Sequence, residues 1–521
     1  MRKLRLDDEV TDSKSYLKTH NASRKREAFF IMLRPRRSIG ENMKQTLVMK
    51  FGGTSVGSVD ALVSATQIIR DTKRDWERVV VVTSAMSGVT DLLLNSASLA
   101  SQGKPDLRAG AESTLRQKHF AALDALVKDE TLREQTKCEI NELIQSLVDL
   151  CKAIAVLGES SPRALDAVAS LGERMSVRLL AAVTNEAGIK AAWIESASFV
   201  VTNAHFQNAN PDFKVTTEKT RAALNPLLDA GVVPITTGFI GATPDGVVTT
   251  LGRGGSDYSA AIIGKALPAD EVWIWTDVDG VMTTDPRIVK EAQTLPEISY
   301  GEIAELAYYG AKVLHPKTIR PVVEAGIGLR ICNTFNPTHA GTRLTSNGKK
   351  NGRVIKAVTA IRKQKLVTIE GRGMLGVPGV AARAFGAVAS TGTSVPLITQ
   401  ASSEQSICFA LPGEAASSVL SALEETFAHE IEDNDIDRVW SSAEVSIITV
   451  VGAGMLHTPG VAGQVFSQLG DKNVNVLAIA QGSSEVSISL VVDASDTENA
   501  VKALHGLIVQ QSVEGQRSNG A

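Results

Sequence analysis

Val48-Met49-Lys50-Phe51-Gly52-Gly53-Thr54-Ser55-Val56-Gly57 decides how this chain is read. A short apolar strand runs into a lysine, a glycine pair and two hydroxyls. Two glycines allow a tight turn that brings backbone N–H groups close to a bound group. A helix from about Ser58 points its positive end at the same place. Lys50 adds a mobile full charge, and Thr54 and Ser55 add donors, so the set suits a phosphate chain. Taken alone, the stretch also reads as a plain strand-to-helix turn with a solvated lysine. The order G-x-x-x-x-G-K-[ST] is absent because Lys50 precedes the glycines, and G-x-G-x-x-G is absent too. A phosphate site here belongs to another fold.

With 521 residues the chain exceeds one ordinary core, and two to four domains are expected. A net charge of −3 and 4% aromatic residues give no basic arm and little base-stacking surface, so no nucleic-acid partner is expected. Cys138, Cys151, Cys332 and Cys408 lack C-x-x-C spacing and read as buried thiols in a reducing compartment. No apolar run approaches the ~18 residues that a membrane span needs, so the chain reads as cytoplasmic. Residues 1–43 mix charges without periodicity. Their apolar patch at 28–33 precedes Arg34, Arg36 and Arg37, the wrong order for a secretory signal. They read as a disordered extension, with Met43 as an alternative start.

From 44 to 345 strands and helices alternate. Runs rich in Val and Ile at 79–82, 232–235, 272–275 and 329–332 suit strands buried on both faces of a largely parallel sheet. Segments 61–70, 164–182 and 258–265 have helical spacing, and 107–157 reads as helical throughout. The fold class is α/β, a sheet sandwiched by helices. Residues 346–365 read as a linker. Beyond it, Gly373-Met374-Leu375-Gly376-Val377-Pro378-Gly379-Val380-Ala381 recurs as Gly454-Met455-Leu456-His457-Thr458-Pro459-Gly460-Val461-Ala462. Gln400-Ala401-Ser402-Ser403-Glu404 recurs as Gln481-Gly482-Ser483-Ser484-Glu485. Two copies are too few for a solenoid. They read as two small α+β modules, 366–440 and 441–510.

Four further segments bear on the phosphate reading. Thr250-Leu251-Gly252-Arg253-Gly254-Gly255-Ser256-Asp257 sets a glycine-rich turn before a helix near Ser256. Arg253 can grip a carboxylate bidentately, while Ser256 or Asp257 could be simple caps. Thr276-Asp277-Val278-Asp279-Gly280 ends a buried strand, where ligands sit in open α/β sheets. It is not an EF-hand loop, since its twelfth position is Ile288. Lys312-Val313-Leu314-His315-Pro316 supplies a second lysine, with Pro316 as a helix N1 residue. Leu171-Gly172-Glu173 puts a carboxylate at the head of a helical run.

These motifs, in this order and followed by the repeat, resemble the aspartokinases: an amino-acid kinase fold with tandem ACT modules. The resemblance covers about residues 45–510 and implies ATP-dependent, Mg²⁺-assisted phosphorylation of the L-aspartate β-carboxylate. By that resemblance Lys50, with the N–H groups of Gly52 and Gly53, stabilises the transferred phosphoryl group, and Asp257 orients that lysine or the phosphate loop. Arg253 takes the α-carboxylate of aspartate and Glu173 its α-ammonium. Ser84, Thr90 and Ser256 complete the substrate set. Thr54, Ser55, Thr276, Asp277, Met282, Arg287, Lys312 and Val313 surround the nucleotide. Met282 departs from the aromatic residue found in many aspartokinases, which leaves nucleotide affinity open. Another amino-acid carboxylate kinase, or a sensor with an inert kinase domain, are the alternatives. The presence of Lys50, Glu173, Arg253 and Asp257 argues against both.

The ACT modules imply feedback by an amino acid. Gln400 and Gln481 match glutamines of threonine-sensitive members, and an amide can both donate to and accept from a hydroxyl. Threonine is therefore favoured over lysine as effector. The resemblance also implies a homodimer paired through ACT modules. It further implies a strand from 500–515 that crosses back into the first module. Because the sequence ends at Ala521, shortly after the second module, the kinase activity is expected alone.

Overall fold

The computed structural model describes residues 45–518, except 104–107, 311–313, 315, 347–353, 375–376, 401–404 and 483–484. The chain divides into two compact units. One comprises residues up to Val281 and His315–Ser346; the other comprises Met282–Leu314 and the residues from Asn347 onward. No helix among the described residues is long and apolar enough to cross a membrane.

In the first unit seven strands lie in the order Ala191–Ile194, Val233–Thr237, Arg78–Thr83, Thr46–Phe51, Glu271–Thr276, Gly328–Asn333 and Thr342–Thr345. The first six run parallel and the last is antiparallel to its neighbour. Thr46–Phe51 is buried along its whole length, as expected of a strand covered on both faces. Its alternation assigns roles. Leu47, Met49 and Phe51 enter a large core with helices Val59–Asp75, Val89–Ser101, Arg108–Leu126, Glu130–Leu157 and Pro162–Glu186. Lys50 therefore lies on the opposite face, the one met by helix Gly255–Ala266. The helical readings of 61–70, 164–182 and 258–265 fall within helices, and so does that of 107–157 from Arg108 onward, broken between Leu126 and Glu130.

The second unit holds a six-stranded antiparallel sheet ordered Leu397–Gln400, Ser406–Pro412, Ala357–Glu370, Arg438–Val451, Ser487–Asp493 and Ala478–Gln481. Its two central strands have 14 residues each. They serve both halves of the repeat: Ala357–Ile361 pair with 447–451, whereas 364–370 pair with Ser406–Pro412. Two sequence expectations change. The supposed linker becomes strand from Ala357 onward. The stretch 500–515 is helix, part of Thr497–Ser518, and not a crossing strand. Ala500, Val501, Leu504, Leu507 and Ile508 recur at helical spacing and are buried in the core of the second half. The strand that passes between modules comes instead from the opposite end, at 357–361.

Segment Met282–Leu314 is fastened to this second unit. Val358 N–H donates to Thr283 O at 2.8 Å, and Ser487 Oγ donates to Glu305 Oε2 at 2.7 Å. Glu302, fully buried, closes a capping box with Ser299. Its carboxylate also receives Lys356 Nζ at 2.9 Å and Ala453 N–H at 2.7 Å.

Candidate active site

Strand Thr46–Phe51 delivers Lys50 to the turn Gly52-Gly53, where the side chain is almost wholly buried. Its ammonium lies 2.5 Å from Asp257 Oδ1, in the first turn of helix Gly255–Ala266. A cation held this way is aimed in one fixed direction. The turn spends more of its donors than the sequence suggests. Gly52 N–H donates to Trp275 O at 3.0 Å. Ser55 is buried, and its hydroxyl donates to Trp275 O at 3.3 Å and accepts from Thr334 Oγ1 at 2.7 Å. Ser55 thus ties the turn to the neighbouring strands and is no free phosphate donor. Gly53 keeps the open position, lining the cavity beside Lys50. Thr54 is exposed, and Ser58 caps the next helix by accepting from Ala61 N–H at 3.2 Å.

Lys50, Gly53, Ser84, Thr90, Glu173, Arg253, Ser256 and Asp257 line one cavity of about 720 Å³. Eight of the expected site residues thereby meet in one place. Glu173 sits in the middle of helix Pro162–Glu186, not at a helical head. Gly172 explains how the helix comes close enough: a Cβ there would lie 2.8 Å from Ala85 Cβ. Glu173 is buried, and its Oε2 has no hydrogen-bond partner. Burial pushes its carboxyl up to about 8, against a backbone hydrogen bond from Ala85 and the Lys50 charge. A buried carboxyl with a spare oxygen, on a residue that lines a cavity, is suited to an incoming cation. Arg253 is exposed at the cavity wall, between Gly252 and Gly254, both with positive φ. Ser256 fits under Gly238, where a Cβ would lie 2.6 Å from Ser256 Cβ.

Thr276 and Asp277 end strand Glu271–Thr276 and do not line the cavity; Thr276 Oγ1 donates to Asp277 Oδ1 at 3.2 Å. Met282 and Arg287 belong to the second unit. There Met282 Sδ accepts from Thr294 Oγ1 at 3.4 Å, and Arg287 pairs with Asp285 at 2.6 Å, which holds the Asp285 carboxyl below its ordinary range. Lys312 and Val313 lie outside the described residues. Among the cavity residues that the sequence did not single out is Asp166, buried on the Glu173 helix one heptad earlier. The signal was available, since seven residues return to the same helix face.

A second cavity of about 340 Å³ lies in the second unit, lined by Met374, Pro378, Gly379, Gln400 and Ile407 among others. It joins the Pro-Gly turn of the first repeat to the end of strand Leu397–Gln400. Gln481 ends the matching strand Ala478–Gln481 of the second repeat. There Glu485 Oε2 accepts from His457 N–H at 2.9 Å.

The amino acid kinase family matches residues 45–333, and an ACT domain family matches 367–427 and 448–507. The chain is 35% identical over 463 residues to lysine-sensitive aspartokinase 3 of Escherichia coli, covering 89% of this chain and 99% of that protein. It is 38% identical over 467 residues to the chloroplastic bifunctional aspartokinase/homoserine dehydrogenase of Daucus carota, covering 88% of this chain. The chain spans about half the length of the bifunctional relatives it matches, 50% in the carrot case. The crystal structure of E. coli aspartokinase III with aspartate and ADP (R-state) superposes with a TM-score of 0.74 at 34% identity, covering 89% of this chain and 100% of that one. With one amino-acid kinase unit, a paired ACT sheet and relatives of this extent, the chain belongs to the aspartokinase family.

Proposed function

We propose that this chain transfers the γ-phosphoryl group of ATP to the β-carboxylate of L-aspartate, giving 4-phospho-L-aspartate. One observation carries the reading: the spare buried oxygen of Glu173 shares a cavity with Arg253 and with the Lys50–Asp257 pair. A carboxylate acceptor for an α-ammonium and a guanidinium for an α-carboxylate define a free amino acid. The cation between them and the glycine turn marks the phosphoryl end.

In the transfer, a β-carboxylate oxygen attacks the γ-phosphorus. The bond from that phosphorus to the β,γ-bridging oxygen breaks, and ADP departs with the electron pair. The nucleophile is already an anion, so no proton has to be removed. The protein's work is positioning and charge stabilisation. Lys50, aimed by Asp257, stabilises charge on the transferred group, and Gly53 N–H stands beside it. Lys50 itself is a cation and Gly53 beside it in the cavity offers an N–H, which fits phosphate oxygens. Mg²⁺ would be held by those oxygens and water, and it supplies further neutralisation there. Thr276 and Asp277, where strand Glu271–Thr276 ends, would contact the nucleotide.

The ACT half makes the enzyme subject to feedback. The cavity that includes Gln400 supports an amino-acid effector, and Gln481 ends the matching strand of the second repeat; threonine is preferred because each amide can serve a hydroxyl. Assembly is a homodimer through ACT sheets, whose edge strands expose Ile398 and Ile479, and the compartment is the cytoplasm. ADP release from Mg·ATP with L-aspartate, titrated with L-threonine and then L-lysine, tests the reading. Turnover that falls with threonine is the expected result. Inhibition by lysine alone would reverse the effector assignment, and no turnover by folded protein would refute the activity.

A further inference from the structure

Asp166 lies on helix Pro162–Glu186, seven residues before Glu173, and its side chain is almost fully buried at the cavity wall. Among the described residues its two oxygens take contacts from two separate stretches of chain. Gln207 N–H reaches Oδ1 at 3.1 Å and Oδ2 at 3.0 Å. Thr250 donates its N–H to Oδ2 at 2.8 Å and its hydroxyl to Oδ1 at 2.7 Å. With both oxygens so engaged, the carboxylate has little left to offer a ligand. It acts on the chain around it.

What it holds is the loop that carries Arg253. Thr250 ends strand Val248–Thr250, and Arg253 follows three residues later between two glycines of positive φ. Gln207 is itself held at a φ of 67°, a conformation that a side-chain-bearing residue rarely adopts. The two stretches interlock. Ala209 N–H donates to Thr250 O at 2.9 Å, and a Cβ on Gly252 would lie 2.9 Å from Asn208 Oδ1 and 3.0 Å from Gln207 O. Arg253 makes no ion pair among the described residues, so its placement is inherited from this backbone frame. We infer that Asp166 is a positioning residue: by clamping Gln207 and Thr250 it sets Arg253 at the distance from Glu173 that a free α-amino acid spans. The same helix thus provides the ammonium acceptor directly and the carboxylate grip through Asp166. This rests on the amino-acid kinase reading proposed above.

The chemistry of the clamp separates two variants. In Asp166→Asn, the amide oxygen can accept from both backbone N–H groups while its NH₂ donates to the Thr250 hydroxyl, so the frame survives without the charge. In Asp166→Ala, both N–H groups lose their acceptor. Steady-state kinetics of the full chain should then show the aspartate KM of D166A raised by about tenfold or more, with the ATP KM within about twofold of wild type. D166N should stay within about threefold of wild type for both substrates, since its acceptor geometry is kept. In an Arg253→Ala background, D166A should add almost nothing to the aspartate KM, because the clamp has no guanidinium left to place. Hydrogen–deuterium exchange of D166A should quicken at 203–210 and 250–255, which checks the clamp without turnover. An aspartate KM unchanged in D166A, or full additivity with R253A, overturns the inference. Unaltered exchange in both stretches overturns it as well. A wild-type protein that turns over no aspartate but shows the exchange difference would refute the activity and leave the clamp standing.

Discussion

In the proposed function Glu173 takes the substrate ammonium, which requires a carboxylate, yet burial holds its carboxyl up at about 8 in the free protein. These two statements together fix a pH dependence. With that value the ionised fraction is about one in a hundred at pH 6, about one-tenth at pH 7 and about one-half at pH 8. The apparent dissociation constant is the intrinsic one divided by the competent fraction. Aspartate should therefore bind about fifty-fold more tightly at pH 8 than at pH 6, and each binding event at pH 7 should release about nine-tenths of a proton. Two assays read this: aspartate KM against pH at saturating ATP, and calorimetry in buffers of different ionisation enthalpy, which counts the proton. Glu173→Gln should bind more weakly at pH 8 and lose both the slope and the proton release. Stability gives an independent reading with a definite sign. The fold favours the protonated form, so the contribution is complete below the unfolded value of about 4.5 and is lost as pH rises through about 8. The loss is on the order of several kcal/mol at most, and Glu173→Gln should remove it. An aspartate KM flat from pH 6 to 8, or a slope that persists in Glu173→Gln, would refute the assignment.

Three other perturbations follow from named contacts. Lys50→Ala leaves Asp257 without its 2.5 Å partner and the phosphoryl group without its cation; kcat should fall by about 10³ or more, with circular dichroism unchanged. Gly238→Ala puts a Cβ 2.6 Å from Ser256 Cβ and should cost about 1–3 kcal/mol in urea unfolding. A cost near zero would mean that helix Gly255–Ala266 can retreat. Glu302→Ala abandons the buried Lys356 ammonium and the Ala453 N–H, and should destabilise by about 3–5 kcal/mol in denaturant titration. A change under about 1 kcal/mol would show that Lys356 finds another partner.

The parallel sheet was legible because strands such as 79–82 and 272–275 are apolar without interruption, and burial on both faces demands that. Lys50, Arg253, Ser256 and Asp257 were legible because glycines around them signal close backbone approach. What the sequence hid was the use of each donor. Nothing local reveals that Gly52 N–H is spent on Trp275 O, or that the Ser55 hydroxyl bridges Trp275 and Thr334, because those partners lie over two hundred residues away. Asp166 was hidden differently. On a helix whose neighbours are apolar, a buried carboxylate one heptad from Glu173 stands on the same stripe, and the spacing alone pairs them. The helix at 497–518 makes the opposite point. Its apolar positions 500, 501, 504, 507 and 508 carry helical spacing, and the expectation of a strand came from resemblance overriding the residues' own pattern.

Glu302 shows where local legibility ends. Ser299-Tyr300-Gly301-Glu302 is a capping box that can be read directly, and the structure forms it. The same carboxylate then accepts from Lys356, at the entrance of one long strand, and from Ala453, just past the end of the other. A local cap is therefore also the bolt that fixes Met282–Leu314 to the ACT-bearing unit. The amino acid kinase match runs through this segment to residue 333, whereas contacts divide the chain at Val281. Descent and packing draw different borders. A fragment ending at 345 would keep every residue of the homologous domain and still strip Glu302 of both long-range partners, leaving a carboxylate whose partners and cover are gone. The kinase half should accordingly be studied with the ACT half attached, because the segment bearing Met282 and Arg287 takes its structure from there.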